Sequence, residues 1–246
     1  MAFSNDLLKD KTILITGAGK GIGKACALLA DKCGATVIAV ARTETDLIDL
    51  KNESSQRLSY WVGDLQDAAL YEKIRSLPSL HGLINNAGTN RVAPMAEQSD
   101  ENIDDILNLN IRSAYKVAQA AITPMLNSAA PSMVHMSSQM GFVGSPGRTL
   151  YCLSKHAIEG LTKAMAVELA PNNIRVNSVA PTFIKTPMTE PMLKEPAFAE
   201  MVMNNIPLQR LGSVEDVANA CIFLLSELSM TTTGSCLKVD GGWTAQ

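Results

Sequence analysis

The chain has 246 residues, 46% hydrophobic and 18% charged, with 21 Lys and Arg against 24 Asp and Glu for a net charge of −3. That balance suits a globular protein with a sizeable core and leaves no basic stripe to meet nucleic acid. No apolar run approaches the roughly 20 residues of a membrane span, and the opening M-A-F-S-N-D-L-L-K-D-K lacks the apolar core of a signal peptide, so a cytoplasmic protein without a membrane partner is expected.

Apolar runs and amphipathic stretches then alternate along the chain. K-T-I-L-I-T (11–16) reads as a strand and leads straight into T-G-A-G-K-G-I-G (16–23), which opens a helix from about Gly21 to Cys33. Gly17, Gly21 and Gly23 allow a tight turn, close approach of backbone to a pyrophosphate, and close helix–strand packing. The helix N-terminus then favours the phosphate charge. A plain strand-to-helix turn needs one glycine, not this many, so a dinucleotide is the expected ligand.

T-V-I-A-V (36–40) is the second strand, followed by a short helix near Asp46 to Lys51. An acidic residue after this strand would bind ribose hydroxyls and repel a 2′-phosphate. Arg42 stands there instead, and Lys20 adds a second cation inside the glycine turn. Arginine's planar fork suits phosphate, so NADP(H) is expected over NAD(H).

R-L-S-Y-W-V (57–62), G-L-I-N (82–85) and S-M-V-H-M-S (132–137) continue the strands, and Glu101 to Asn127 reads as one long helix. Another helix runs from Thr149 to Ala170, then I-R-V-N-S-V (174–179), a helix near Val214 to Leu225, and C-L-K-V (236–239). Continuous rather than alternating β-branched strands indicate a parallel sheet covered on both faces, and the β–α repetition indicates one doubly wound α/β domain over 1–246. The stretch 181–211 is irregular and rich in Pro and Met, which suggests an inserted lid over a substrate pocket.

Tyr151 and Lys155 in Y-C-L-S-K stand one helical turn apart on one face. A nearby ammonium lowers a phenol's pKa from its usual value of about 10. Ser138 lies upstream, and its hydroxyl would hold a carbonyl oxygen while Tyr151 delivers a proton. The five cysteines are scattered and odd in number, which fits buried thiols, and the three histidines have no metal-ligand spacing, so no metal is expected.

With T-G-A-G-K-G-I-G (16–23), N-N-A-G (85–88), H-M-S-S-Q-M-G (135–141), Y-C-L-S-K (151–155) and I-R-V-N-S-V-A-P-T (174–182) in this order, the chain resembles the short-chain dehydrogenase/reductases over nearly all its length. The resemblance implies a Rossmann-like domain with about seven parallel strands in the order 3-2-1-4-5-6-7, usually a homotetramer. It puts catalytic roles on Asn110, Ser138, Tyr151 and Lys155, with Asn110 anchoring a water that links Lys155 to solvent. Cofactor contacts carry over to Gly17, Gly19, Lys20, Gly21, Ile22 and Gly23 of the turn, to Arg42 and Thr43, and to Asp64 and Leu65 beside the adenine. They continue through Asn86, Ala87 and Gly88, the catalytic Tyr151 and Lys155, and finally Pro181, Ile184 and Thr186. Many members carry Pro-Gly where this chain has Pro181-Thr182, which weakens transfer of lid contacts.

R-T-E-T-D-L (42–47), Lys20 and Pro181-Thr182 further resemble the carbonyl and L-xylulose reductase group, which reduces small ketones, dicarbonyls and ketoses. The tail G-S-C-L-K-V-D-G-G-W (234–243) is shared with 3-oxoacyl-carrier-protein reductases and sugar dehydrogenases, and the former stand as the second reading, with Arg112 and Arg148 as candidate docking charges. A non-catalytic NADP(H)-binding scaffold is the reading of another class. Substrate contacts are expected at Ser138, Gln139, Phe142, Arg148 and Phe183, with Arg148 pairing with a carboxylate or facing solvent.

Overall fold

Seven short runs of Ile, Leu, Val and Ala build one sheet. They are β1 (Thr12–Thr16), β2 (Thr36–Ala41), β3 (Leu58–Val62), β4 (Gly82–Asn85), β5 (Ser132–Met136), β6 (Arg175–Pro181) and β7 (Cys236–Val239). Every pairing is parallel and the order is β3-β2-β1-β4-β5-β6-β7, as expected. The computed structural model describes residues 3–187 and 189–246. Residue 188, within the expected lid, and residues 1 and 2 of the expected domain lie outside the described residues.

Helices cover both faces. On one side, α1 (Gly21–Lys32) packs against α9 (Val214–Leu225), burying Cys26, Ala27, Cys221 and Ile222 with β1 and β2. Ser213 and Asp216 start α9 with reciprocal hydrogen bonds, Asp216 N–H to Ser213 Oγ at 3.1 Å and Ser213 N–H to Asp216 Oδ2 at 2.8 Å. On the other side, α3 (Ala68–Arg75), α5 (Ala114–Met125) and α6 (Thr149–Leu169) bury Leu70, Ile74, Val117, Ala121 and Ala166 against the sheet. The short α2 (Glu44–Glu53) covers β2 and β3.

Three elements differ from the sequence reading. The helix expected over 101–127 is divided into α4 (Asp100–Ile106), a π-helical stretch (Leu107–Ser113) and α5. Helix α3, capped by Asp67 accepting from Ala69 N–H at 2.9 Å, was not anticipated. The segment 181–211 is not wholly irregular, since it holds α7 (Glu190–Leu193) and α8 (Pro196–Asn204). Strand order reverses between β1 and β4, and a sheet of this kind opens a crevice at the carboxyl ends of its strands there.

Candidate active site

A cleft of about 440 Å³ occupies that crevice. One wall is the turn after β1. Gly17 has φ of +65°, which side chains disfavour, and a Cβ there would stand 2.9 Å from Asn86 Nδ2. Gly23 has no room at all, because its Cβ would lie 2.2 Å from the Gly17 carbonyl oxygen. The Asn86 side-chain amide donates to the carbonyls of Thr16 and Gly17 at 3.0 and 3.3 Å, and the Thr16 hydroxyl accepts from the Asn86 and Ala87 N–H groups at 3.0 and 3.2 Å. These bonds tie the ends of β1 and β4 together and fix the turn. Helix α1 begins with no side-chain cap and no acidic residue in its first turn, so its free N–H groups face the cleft.

At one end of the cleft stand Lys20, Arg42, Thr43, Asp64 and Leu65. Asp46 joins them, a residue the sequence reading did not single out. It lies 3.2 Å from Lys20 Nζ, while Arg42 lies 4.0 Å from Asp64. Both cations therefore already have partners, but both remain largely exposed, so these pairs are weak and exchangeable. Gly19, Gly21, Ile22, Asn86, Ala87 and Gly88 line the middle, and Pro181, Ile184 and Thr186 close the far side. Of the residues expected at a cofactor, Gly23 alone is behind the wall rather than on it. The hydroxyls of Ser137 and Thr182 were not anticipated. Both line the cleft, and both are buried with no hydrogen-bond partner among the described residues.

Ser138, Tyr151 and Lys155 meet at the other end. β5 delivers Ser138, whose hydroxyl donates to Gln139 Oε1 at 2.6 Å and accepts from Met140 N–H at 3.2 Å. Helix α6 delivers Tyr151 and Lys155 one turn apart, with Lys155 Nζ 5.5 Å from the phenol ring centroid and donating to the Met136 carbonyl at 2.8 Å. Asn110 lies outside the cleft wall. Its side chain is held by Thr89, accepting from the N–H at 2.8 Å and donating to the carbonyl at 2.9 Å, and donates to Ser154 Oγ at 3.1 Å. Asn110 lies within the π-helical stretch, and Gly88 stands close to both it and Lys155, since a Cβ there would be 3.2 Å from Asn110 Oδ1 and 3.8 Å from Lys155 Nζ.

The expected direction of the tyrosine shift is not what the site produces. Burial pushes the Tyr151 phenol up to about 12, against the opposing pulls of the Ser138 hydroxyl and the Arg148 guanidinium. Burial likewise pulls the Lys155 pKa down to about 8, against the Glu159 carboxylate. Desolvation dominates both shifts. His135, wholly buried with no hydrogen-bond partner among the described residues, is pushed down to about 4 by burial and then by Lys155, so it adds no second positive charge.

Of the expected substrate contacts, Ser138 lines the cleft, while Gln139, Phe142, Arg148 and Phe183 lie around or behind it. Phe183, Met140 and Cys152 form a small apolar cluster with Val202 and Ile206, against which Tyr151, Phe198 and Trp243 pack. Arg148 is buried there, not facing solvent, and Arg112 lies exposed near Tyr71. Phe142 sits under Lys238, whose Nζ is 4.4 Å from its ring centroid.

Residues 17–244 match the family model described as Enoyl-(Acyl carrier protein) reductase. A 3-oxoacyl-acyl-carrier-protein reductase of Thermotoga maritima is 40% identical, covering 96% of this chain and 98% of its own. The L-xylulose reductase of Mus musculus is 39% identical, covering 97% and 98%. Among solved structures, a Beutenbergia cavernae protein provisionally assigned as an NAD(P)-dependent gluconate 5-dehydrogenase, with NADP bound at low occupancy, is 31% identical with a TM-score of 0.92, covering 99% of this chain and 100% of that one.

Proposed function

The chain belongs to the short-chain dehydrogenase/reductase family of carbonyl–alcohol oxidoreductases, and on that premise we propose that it is an NADP(H)-dependent reductase of small ketones, dicarbonyls or sugars. The observation that carries this reading is one cleft with a phosphate-binding end and a proton-donating end. The residues present fit the dinucleotide. The uncapped start of α1 faces its pyrophosphate, Lys20 and Arg42 suit the 2′-phosphate, and the orphan hydroxyls of Ser137 and Thr182 await polar partners. When bound, the nicotinamide supplies or accepts the hydride.

The protein's own residues then handle the oxygen. Ser138 exchanges its bond to Gln139 for one to the substrate oxygen, stabilising charge that develops there. Tyr151, kept protonated in the free enzyme by burial, is in the state that reduction requires and donates its proton to that oxygen. Lys155 lies against the phenol and carries the proton resupply, with Asn110 and the π-helical stretch forming the route from solvent. Segment 181–211 acts as a lid, laying Phe183, Met192 and Phe198 over the catalytic end.

Tyr151 packs against the apolar cluster of Met140, Cys152 and Phe183 behind the cleft, which favours a small substrate. The second reading, an acyl-carrier-protein reductase, is favoured by the identity to the Thermotoga protein, but of its two candidate docking charges Arg148 is buried and Arg112 alone is exposed. Tyr115, Leu153 and Val167 leave apolar surface on α5 and α6, as pairing of these helices in a cytoplasmic homotetramer requires. Light scattering tests the tetramer. The function is tested by following nicotinamide absorbance with NADPH and NADH against sugars, polyols, dicarbonyls and acyl thioesters in both directions. Turnover best with NADPH and a small carbonyl is expected. Acyl thioester preference would favour the second reading, and no turnover at all would leave a cofactor-binding scaffold.

A further inference from the structure

The chain has two buried arginines with opposite surroundings. Arg175 is 7% exposed and donates to Ser229 Oγ at 2.9 Å, Ser226 O at 3.1 Å and Thr232 O at 3.5 Å, with only its Nε unpartnered among the described residues. It is a structural arginine, pinning β6 to the turn after α9. Arg148 is 5% exposed, yet its one side-chain hydrogen bond among the described residues is from Nη2 to the Met192 thioether, at 3.1 Å. No carboxylate pairs with it among the described residues. Its guanidinium is walled by Phe183 and Phe198, whose ring centroids are 5.5 and 5.8 Å away.

A thioether is a weak acceptor and carries no charge. Guanidinium stays protonated in proteins, so this cation stays charged with no counter-ion among the described residues. Burial lowers its pKa and the neighbouring Tyr151 opposes that, which puts the uncompensated charge within electrostatic reach of the proton donor. Arg148 precedes Tyr151 by one turn at the N-cap of α6, so its position is set by the helix that positions the phenol. No acidic residue lines the catalytic end of the cleft, where Ser138, Tyr151, Lys155, Thr182, Ile184 and Thr186 stand.

We infer that Arg148 anchors a carboxylate carried by the substrate, displacing the Met192 sulfur, and that the enzyme therefore acts on small oxo acids and their hydroxy-acid partners. This rests on the carbonyl-reductase reading above. A carboxylate fits better than a phosphate, because one cation in an apolar surround balances one negative charge and leaves a phosphate's second charge unpaired. The guanidinium fork meets the two carboxylate oxygens beside the rings of Phe183 and Phe198.

The test compares wild type, Arg148→Met and Arg148→Lys, using NADPH with short aliphatic 2-oxo and 3-oxo acids, their methyl esters, and sugar phosphates. For Arg148→Met, the loss in kcat/KM on the acids should exceed the loss on the esters by at least about tenfold, mainly through KM. Arg148→Lys should recover part of that difference. The melting temperature of Arg148→Met should equal or exceed that of wild type, since an apolar replacement removes an unpaired buried charge. Equal losses on acids and esters, a sugar phosphate that outperforms the acids, or a destabilised Arg148→Met would overturn the assignment. Calorimetric binding of succinate and glutarate against their diamides, with NADP present, decides the point without turnover. Carboxylate binding that Arg148→Met abolishes supports the anchor, and equal binding of acids and amides rejects it. If no carbonyl is reduced by any form, the reductase reading fails, while the binding arm still judges Arg148.

Discussion

Replacing Lys155 with methionine should make the cofactor-free protein more stable while ending its chemistry. Lys155 is 5% exposed, and its only hydrogen bond among the described residues is to the Met136 carbonyl. Burial takes its pKa from 10.5 to about 8, a fall equivalent to about 3 kcal/mol of penalty on the charged form. Methionine has a similar length, no charge and one hydrogen bond fewer, a loss of about 1 kcal/mol. The net gain is about 2 kcal/mol, or roughly 4–8 °C in melting temperature for a chain of this size. The pH dependence has a defined sign. The folded protein carries the whole penalty below pH 8. Between about pH 8 and 10.5 the folded lysine loses its proton before the unfolded one does, so wild type gains stability and the gap should close. Thermal unfolding of both proteins without NADP(H), from pH 7 to 10.5, measures this. A variant less stable than wild type at pH 7, or a gap that persists to pH 10.5, would refute the claim that Lys155 is held at a cost to the fold.

Three further outcomes are expected. Tyr151→Phe should lower kcat by about 10²–10⁴, the usual worth of a general acid, with NADP(H) binding retained by fluorescence titration; near-normal turnover would move the proton donor elsewhere. Arg42→Ala and Lys20→Ala should each raise the KM for NADPH about tenfold or more while leaving that for NADH little changed, and equal effects on both cofactors would remove the 2′-phosphate role. Gly23→Ala sets a Cβ 2.2 Å from the Gly17 oxygen and 2.6 Å from Asn86 Nδ2, so about 1–3 kcal/mol of stability and the thermal stabilisation by NADP should both be lost. A variant stabilised by NADP as wild type is would show that the turn can give way.

Features written in local patterns were readable from the sequence. The parallel, doubly covered sheet follows from β-branched runs separated by helices, while its strand order came only with the family resemblance; the glycine turn and the Tyr151–Lys155 spacing each depend on residues close in the chain. What escaped depends on distant partners. The π-helical stretch at Leu107–Ser113 coincides with an Asn110 held by Thr89 and Ser154, neither of which belongs to that helix. Spacing suggested that Lys155 would lower the Tyr151 pKa, but desolvation by the surrounding fold reverses the shift. Arg148 could not be judged buried, because Phe183, Met192 and Phe198 reach it from a segment more than thirty residues downstream. The short helices α3, α7 and α8 carry too few turns to announce themselves by periodicity.

The packing of α1 against α9 sets the order in which this protein can become competent. The helix that presents the glycine turn is held down by residues 214–225, nearly two hundred positions later in the chain. During synthesis Cys26 and Ala27 can pack on β1 and β2 but must wait for residues 214–225 to emerge before their cover is complete. The nascent chain thus exposes apolar surface, a target for chaperones, while its cofactor cradle is still unsupported. NADP(H) supplied during refolding should accordingly act late, trapping the finished fold rather than guiding its first steps.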